Sequence, residues 1–140
     1  MTGICSRAEA LAYLPYLDIY AMPSLHDGCP NAMLEAMLAG CPIVGSNVDA
    51  IGEILADGTA GIAVQPADIQ DLIHGIETLA TDAKRRSALG EGARKKVLTQ
   101  LSPAIEKENW LIVYNRVLKK GLDDRIPAIT PTFVSLSKAF

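Results

Sequence analysis

The sequence contains few cysteines and no long uncharged apolar stretch among its 140 residues. The cysteines, Cys5, Cys29 and Cys41, are odd in number and form no C-x-x-C pair, so neither a disulfide framework nor a zinc site is predicted. We expect reduced thiols, mostly small core residues, in a cytoplasmic protein. The longest uncharged run, 36–48, is shorter than the ~18 residues of a membrane-spanning helix.

The sequence also lacks a basic excess, since 13 Lys and Arg oppose 16 Asp and Glu for a formal net charge of −3. Nucleic-acid binders usually carry a basic surplus, so no nucleic-acid partner is predicted. The charges are uneven, because Arg7 is the one basic residue within 1–81 and the other twelve follow it. We interpret the two halves as solvated faces of opposite sign. The alternative is a basic half that contacts an anionic membrane surface or partner.

Three short apolar runs predict strands that are buried on both faces, as in parallel sheets. These runs are 18–23, 42–45 and 61–64. Helical patterns precede, separate and follow them, at 8–16, 30–39, 50–55, 68–81, 82–99 and 102–120. This order is typical of an open α/β sheet with right-handed crossovers.

The chain is long enough for one hydrophobic core. We predict one domain over 1–120 and a tail without fixed structure over 121–140. The basic clusters 84–86 and 94–96 are expected to be solvated helix faces. In the last helix, the apolar side chains expected on the inner face are Trp110, Val113, Tyr114 and Val117.

One loop, 23–30, follows the first predicted strand and opens a helix, which is where open α/β sheets bind ligands. A helix N-terminus has unpaired N–H groups that favour phosphate, and Gly28 lets the backbone approach a ligand closely. Glu35, in the following helix, can accept hydrogen bonds from the vicinal hydroxyls of a ribose, and Asp27 can do the same for a sugar. The alternative for Asp27 is a turn or cap residue, and for Glu35 a solvated carboxylate.

Residues 18–46 read DIYAMPSLHDGCPNAMLEAMLAGCPIVGS. This stretch resembles the signature of group 1 glycosyltransferases, the retaining enzymes of glycosyltransferase family 4, roughly D-x-x-x-x-P-S-x-x-E-G-x-P-x-x-x-L-E-A-M-A-x-G-x-P-V-V. Further matches include Glu53, Asp57-Gly58 and Leu89-Gly90. The resemblance covers 1–120. It implies a partial Rossmann-like parallel sheet with flanking helices, the C-terminal half of the donor domain of a GT-B fold.

The resemblance implies roles for individual residues. Asp27 matches the first acid of an E-x7-E pair, which contacts the donor sugar and is the expected catalytic residue, and Glu35 matches the second, which holds the ribose. The implied donor-binding residues are Ser24, Asp27, Gly28, Cys29, Pro30, Asn31, Leu34 and Glu35. Two departures stand out. The first acid is Asp where the pattern has Glu, and Asp49-Ala50 replaces the usual Gly-Gly before a short helix.

The implied activity is transfer of a sugar, with retention, from a nucleotide-sugar to a sugar or lipid-linked acceptor. The nucleotide-sugar is a substrate, so neither a cofactor nor a metal is expected. The location implied is cytoplasmic, with peripheral contact at the inner membrane as the alternative. The family's donor domain has further strands and a basic clamp upstream of this stretch. We therefore expect the chain alone to be inactive and its first strand to offer an open edge for self-association.

Two other interpretations remain open. One is a non-catalytic binding module from a split or decayed glycosyltransferase gene. The other is a Rossmann-like nucleotide-binding domain of another class. Against the latter, neither G-x-G-x-x-G nor G-x-x-x-x-G-K-[ST] occurs in the sequence.

Overall fold

A computed structural model describes residues 3–120, so the prediction for the tail 121–140 lies outside the described residues. The helices are α1 (Arg7–Tyr13), α2 (Asn31–Ala39), α3 (Asp49–Leu55), α4 (Ile69–Thr81), α5 (Ala83–Gln100) and α6 (Pro103–Lys120), with a 3-10 turn at Leu14–Tyr16. The strands are β1 (Tyr20–Met22), β2 (Ile43–Ser46) and β3 (Gly61–Val64). No helix within this part of the chain is long and apolar enough to cross a bilayer.

The three strands form one parallel sheet in the order β1-β2-β3. This arrangement confirms the predicted α/β class. The middle strand β2 is buried along its whole length. Successive side chains of a strand point to opposite faces, so Ile43 joins one apolar cluster and Val44 the other. Helices α2 and α3 cover the first face, and α4 covers the second.

Three helix ends carry residue types that favour those cap positions. Asp68 accepts a hydrogen bond from the amide of Asp71 at 3.0 Å, and Asp82 accepts one from the amide of Arg85 at 2.9 Å. Gly40 ends α2 with a left-handed φ of 89°. The helix predicted over 30–39 begins one residue later, because Pro30 is its N-cap.

The predicted inner face of α6 is wrong for three of its four residues. Trp110, Tyr114 and Val117 are 42%, 59% and 47% exposed, and only Val113 is half-buried. The Trp110 and Tyr114 rings pack on each other, with centroids 5.8 Å apart. Helical periodicity identifies an apolar stripe but carries no information about which element covers it.

The cysteine prediction needs a similar correction. All three thiols are free, but only Cys41 is a core residue, whereas Cys29 is half-buried and Cys5 is exposed. The Cys41 thiol donates to the carbonyl of Leu14 at 3.0 Å, and its burial raises its pKa. Small apolar size therefore indicates burial only where a neighbouring element closes over the residue.

Three basic side chains of α5 cap other helices, although the sequence predicts solvated faces for both clusters. Arg86 donates to the Leu79 and Ala80 carbonyls of α4 at 2.7 and 2.9 Å. Arg94 donates to the Leu38 carbonyl of α2 at 3.2 Å, and Lys96 donates to the Ile54 carbonyl of α3. Cations at helix C-termini satisfy unpaired carbonyls and complement the helix dipole. Much of the basic charge of α5 is therefore used inside the fold.

Lys96 also pairs with Asp57 at 2.8 Å, and the Lys96 side chain is only 10% exposed. Burial raises the pKa of Asp57. The hydrogen bonds from Lys96 and from the amide and hydroxyl of Thr59, with the Lys96 charge, outweigh that effect and lower the pKa from 3.8 to about 2. A depressed folded-state pKa stabilises the fold above the unfolded-state value, and the stabilisation is lost as the pH falls.

We expect the free energy of unfolding to fall between about pH 4 and pH 2, in part because Asp57 takes up a proton there. The Asp57→Asn variant should be less stable than the wild type at neutral pH, and the difference should shrink across that window. Urea unfolding at a series of pH values measures this. The exposed Glu91→Gln on α5 is the control. A gap between wild type and Asp57→Asn that is constant from pH 6 to pH 2 would contradict the assignment.

Candidate functional site

The loop 23–30 connects the carboxyl end of β1 to the N-terminus of α2. Pro30 is buried, and its carbonyl accepts the amides of Met33 and Leu34 at 2.9 and 3.1 Å. As N-cap, Pro30 supplies no side-chain hydrogen bond to the first turn. The start of α2 therefore lacks the side-chain acceptor that usually occupies first-turn N–H groups.

The residues predicted for the site lie along this loop and the first turns of α2. Ser24, Asp27, Cys29, Leu34 and Glu35 are half-buried, Gly28 and Asn31 are exposed, and Pro30 is buried. The set is therefore accessible to a ligand rather than sealed in the core. His26, at the tip of the loop, has a side chain that is 92% exposed.

Glu35 forms an ion pair with Arg7, whose guanidinium contacts the Oε1 atom of the carboxylate. Arg7 is the first residue of α1, and a capping box formed by Ser6 and Glu9 fixes the start of that helix. The Arg7 side chain is 77% exposed and that of Glu35 29%. No motif points to Arg7, although its position as the single basic residue within 1–81 is a signal that could have identified it.

Asp27 is held through its backbone. Its amide donates to Oδ2 of Asp49 at 3.2 Å, and the same oxygen lies 3.8 Å from Nδ1 of His26. Asp49 is the first residue of α3 and has a φ of 39°. The turn thus keeps the left-handed backbone that glycine adopts freely, and the side chain of the non-glycine residue reaches the site loop.

Tyr20 is the first residue of β1, at the opposite end of the strand from the site loop. Burial raises the pKa of its hydroxyl, and the negative charges of Glu35 and Asp27 raise it further. The pKa of the Cys29 thiol is also raised, first by burial and then by Asp27 and Glu106, so this loop cysteine is a neutral thiol.

The site thus combines two acidic side chains with a helix start that lacks a side-chain cap. Carboxylates accept hydrogen bonds from hydroxyl pairs, and helix N–H groups bind anions. Within residues 3–120, no group of three or more His, Cys, Asp or Glu side chains is arranged to hold a metal ion. An open cleft of about 470 Å³ lies elsewhere, around Gly58, Gly61 and Arg85, and none of the predicted site residues lines it.

Comparison with known proteins gives one family. The family model described as "Glycosyl transferases group 1" matches residues 1–82. A capsular polysaccharide biosynthesis glycosyltransferase from Staphylococcus aureus is 25% identical over 81% of this chain and 30% of its own length. An N-acetylgalactosaminyltransferase from Campylobacter jejuni, named for a diphospho-undecaprenol-linked substrate, is 30% identical over the same shares. The chain therefore spans about 30% of the length of these relatives.

Among solved structures, sucrose-phosphate synthase from Thermosynechococcus elongatus superposes with a TM-score of 0.74. It is 19% identical, and the match covers 84% of this chain and 30% of that protein. This likeness supports the fold alone, and the three parallel strands with flanking helices agree with a partial Rossmann-like sheet. Because the family match extends over more than half of the sequence, the chain belongs to the group 1 glycosyl transferases.

Proposed function

We propose that residues 3–120 form a nucleotide-sugar-binding unit of a cytoplasmic glycosyltransferase that transfers the sugar with retention. The observation that carries this proposal is that Asp27, in the loop after β1, and Glu35, in the first turns of α2, flank a helix start that has no side-chain cap. In this proposal Glu35 binds the ribose hydroxyls and Asp27 contacts the donor sugar. The acceptor class is a sugar or a lipid-linked sugar, since the C. jejuni relative is named for an undecaprenol-linked one.

Phosphate binding follows from the start of α2. Ser24, Gly28, Cys29, Asn31 and Leu34 complete the proposed donor-binding set, and Pro30 contributes shape but no N–H. The helix start meets the diphosphate with N–H donors and the positive end of its dipole. The same donors stabilise the charge that grows on the leaving nucleotide as the glycosidic bond breaks.

The Arg7–Glu35 ion pair does not prevent ribose binding. Surface pairs of this kind contribute at most about 1 kcal/mol, because solvent screens them. Two hydrogen bonds from ribose hydroxyls to the carboxylate are of comparable or greater strength. Arg7 then remains as a cation beside the bound nucleotide.

Ligand-detected NMR on the 140-residue chain tests the proposal. The probes are UDP-glucose, GDP-mannose and ADP-glucose, each beside its nucleoside diphosphate. Saturation transfer to one nucleotide series is expected, with signals from both the ribose and the hexose protons. A sample that unfolds cooperatively in urea yet shows no transfer to any of the three series would overturn the proposed function.

A second part of the proposal concerns the free edge of β1. Within the described residues β1 pairs only with β2, so its outer edge offers unpaired backbone groups. We expect concentration-dependent self-association in size-exclusion chromatography. Ala21→Lys, at an exposed edge position, should shift the equilibrium towards monomer, whereas Ala12→Lys on exposed α1 should not. A monomer at every concentration would contradict this part.

A further inference from the structure

Two unusual residues of the site meet each other in the structure. Asp27 stands where the family pattern has Glu, and Asp49 stands where it has Gly. They are 22 positions apart in sequence, yet the amide of Asp27 donates to the Asp49 carboxylate at 3.2 Å. The two departures from the pattern therefore form one contact.

We infer that Asp49 is a positioning residue that fixes the site loop, so that the short Asp27 side chain reaches the donor sugar. This inference rests on the proposed function and deepens it. Aspartate is one methylene shorter than glutamate, so the position of the Asp27 backbone decides whether its carboxylate meets a sugar hydroxyl. A hydrogen bond to the Asp27 amide controls that position directly.

The backbone of Asp49 separates this role from a purely structural one. Its φ of 39° lies in the left-handed region, which glycine adopts without strain. A glycine at this position therefore satisfies the turn and removes only the side chain. The Asp49 side chain is 51% exposed, so its removal leaves no core cavity.

Two groups of the site loop lie near the Asp49 carboxylate. Oδ2 of Asp49 faces the amide of Asp27 and, at 3.8 Å, Nδ1 of His26. Both partners belong to the same loop, and the hydrogen bond to the Asp27 amide is the contact that holds it. The loop in turn precedes the N-terminus of α2, where the diphosphate is proposed to bind.

The test compares Asp49→Gly with Asp49→Asn, using the three nucleotide-sugars and the matching nucleoside diphosphates named above. Asp49→Gly should weaken nucleotide-sugar binding about tenfold, because the Asp27 carboxylate would lose its hydrogen bond to the sugar. The affinity for the nucleoside diphosphate should change less than about twofold, because Glu35 and α2 are intact. Asp49→Asn should restore most of the affinity, since the amide oxygen still accepts from Asp27.

A double variant sharpens the test. In Asp27→Glu with Asp49→Gly both positions follow the family pattern, and the longer carboxylate reaches the sugar without the contact. Its nucleotide-sugar affinity should exceed that of Asp49→Gly alone. Additive losses in the double variant would overturn the proposed coupling.

Backbone amide exchange gives a readout that needs no variant. The Asp27 amide should exchange with solvent more slowly than the neighbouring loop amides of the unliganded wild type. Unprotected exchange would overturn the inference, as would equal losses for nucleotide-sugar and diphosphate in Asp49→Gly.

If the wild type binds none of the three nucleotide series, the proposed function fails and the inference fails with it. If it binds and Asp49→Gly binds equally well, only the inference fails.

Discussion

Replacing Gly92 with alanine should lower the free energy of unfolding by about 1–2 kcal/mol, even though alanine is the better helix former. Gly92 lies inside α5, and a Cβ added there would be 1.9 Å from the carbonyl oxygen of Thr59. Helix propensity alone favours alanine by about 1 kcal/mol. Overpacking costs about 1–3 kcal/mol or more where the contacted atom cannot move aside, so the clash decides the sign.

The contacted oxygen belongs to a turn that is itself held in place. The amide and hydroxyl of Thr59 both donate to Asp57, and Asp57 pairs with Lys96 one helical turn beyond Gly92. A shift of the backbone at Thr59 would strain these linked contacts. Gly90 shows the same relation on the other side of α5, since a Cβ there would lie 2.2 Å from the Gly40 carbonyl oxygen.

Urea unfolding of Gly92→Ala beside Ser87→Ala measures this effect. Ser87 is exposed on the same helix, so its change to alanine should leave stability equal or slightly higher. A Gly92→Ala variant as stable as Ser87→Ala would show that α5 does not approach the turn as closely as the structure indicates. Circular dichroism at 222 nm separates local loss of helix from a global loss of stability.

Replacing Glu35 with alanine should weaken nucleotide binding about 10- to 100-fold, the largest functional effect that we expect from one side chain. Hydrogen bonds to a charged group contribute about 1.5–3 kcal/mol, and each 1.4 kcal/mol corresponds to a factor of ten in affinity. The loss should be the same for the nucleotide-sugar and for its nucleoside diphosphate, because the proposed contact is with the ribose. Asp49→Gly, in contrast, should weaken binding of the nucleotide-sugar much more than binding of the diphosphate.

The stability of the Glu35→Ala variant is the necessary control. Its pair with Arg7 is largely exposed, so breaking it should change the free energy of unfolding by less than about 1 kcal/mol. Glu91→Ala, an exposed carboxylate on α5, serves as the matched variant and should bind as the wild type does. Wild-type affinity in Glu35→Ala would remove this residue from the site and leave the solvated-carboxylate interpretation.

The alternation of strands and helices could be predicted because burial on both faces leaves a readable pattern in short runs such as 42–45 and 61–64. Caps such as Asp68 and Gly40 were predictable for the same reason, since each depends on local hydrogen bonding or backbone conformation. The exposure of Trp110 was not predictable, because it depends on which distant segment packs against the helix.

In the candidate site, too, local features were predictable from the sequence and contacts between distant segments were not. The loop and the acids Asp27 and Glu35 are visible as a motif, and the structure places them in the loop after β1 and in α2. The sequence does not reveal the partners of those acids. Arg7 reaches Glu35 from α1, and Asp49 reaches the Asp27 amide from α3. Motif recognition identifies residues of one segment, whereas contacts between segments require the fold.

The capping of three helices by α5 has a consequence for how the chain folds during synthesis. Arg94 bonds to Leu38 across 56 positions, and Lys96 bonds to Ile54 across 42. The C-terminal ends of α2, α3 and α4 are translated before α5. Their carbonyls therefore lack these partners until Arg86, Arg94 and Lys96 have left the ribosome. Non-local closures of this kind slow folding and couple distant elements. We therefore expect the strands and helices made first to pack stably only once α5 is available, because the contacts of Arg94 and Lys96 form at that stage.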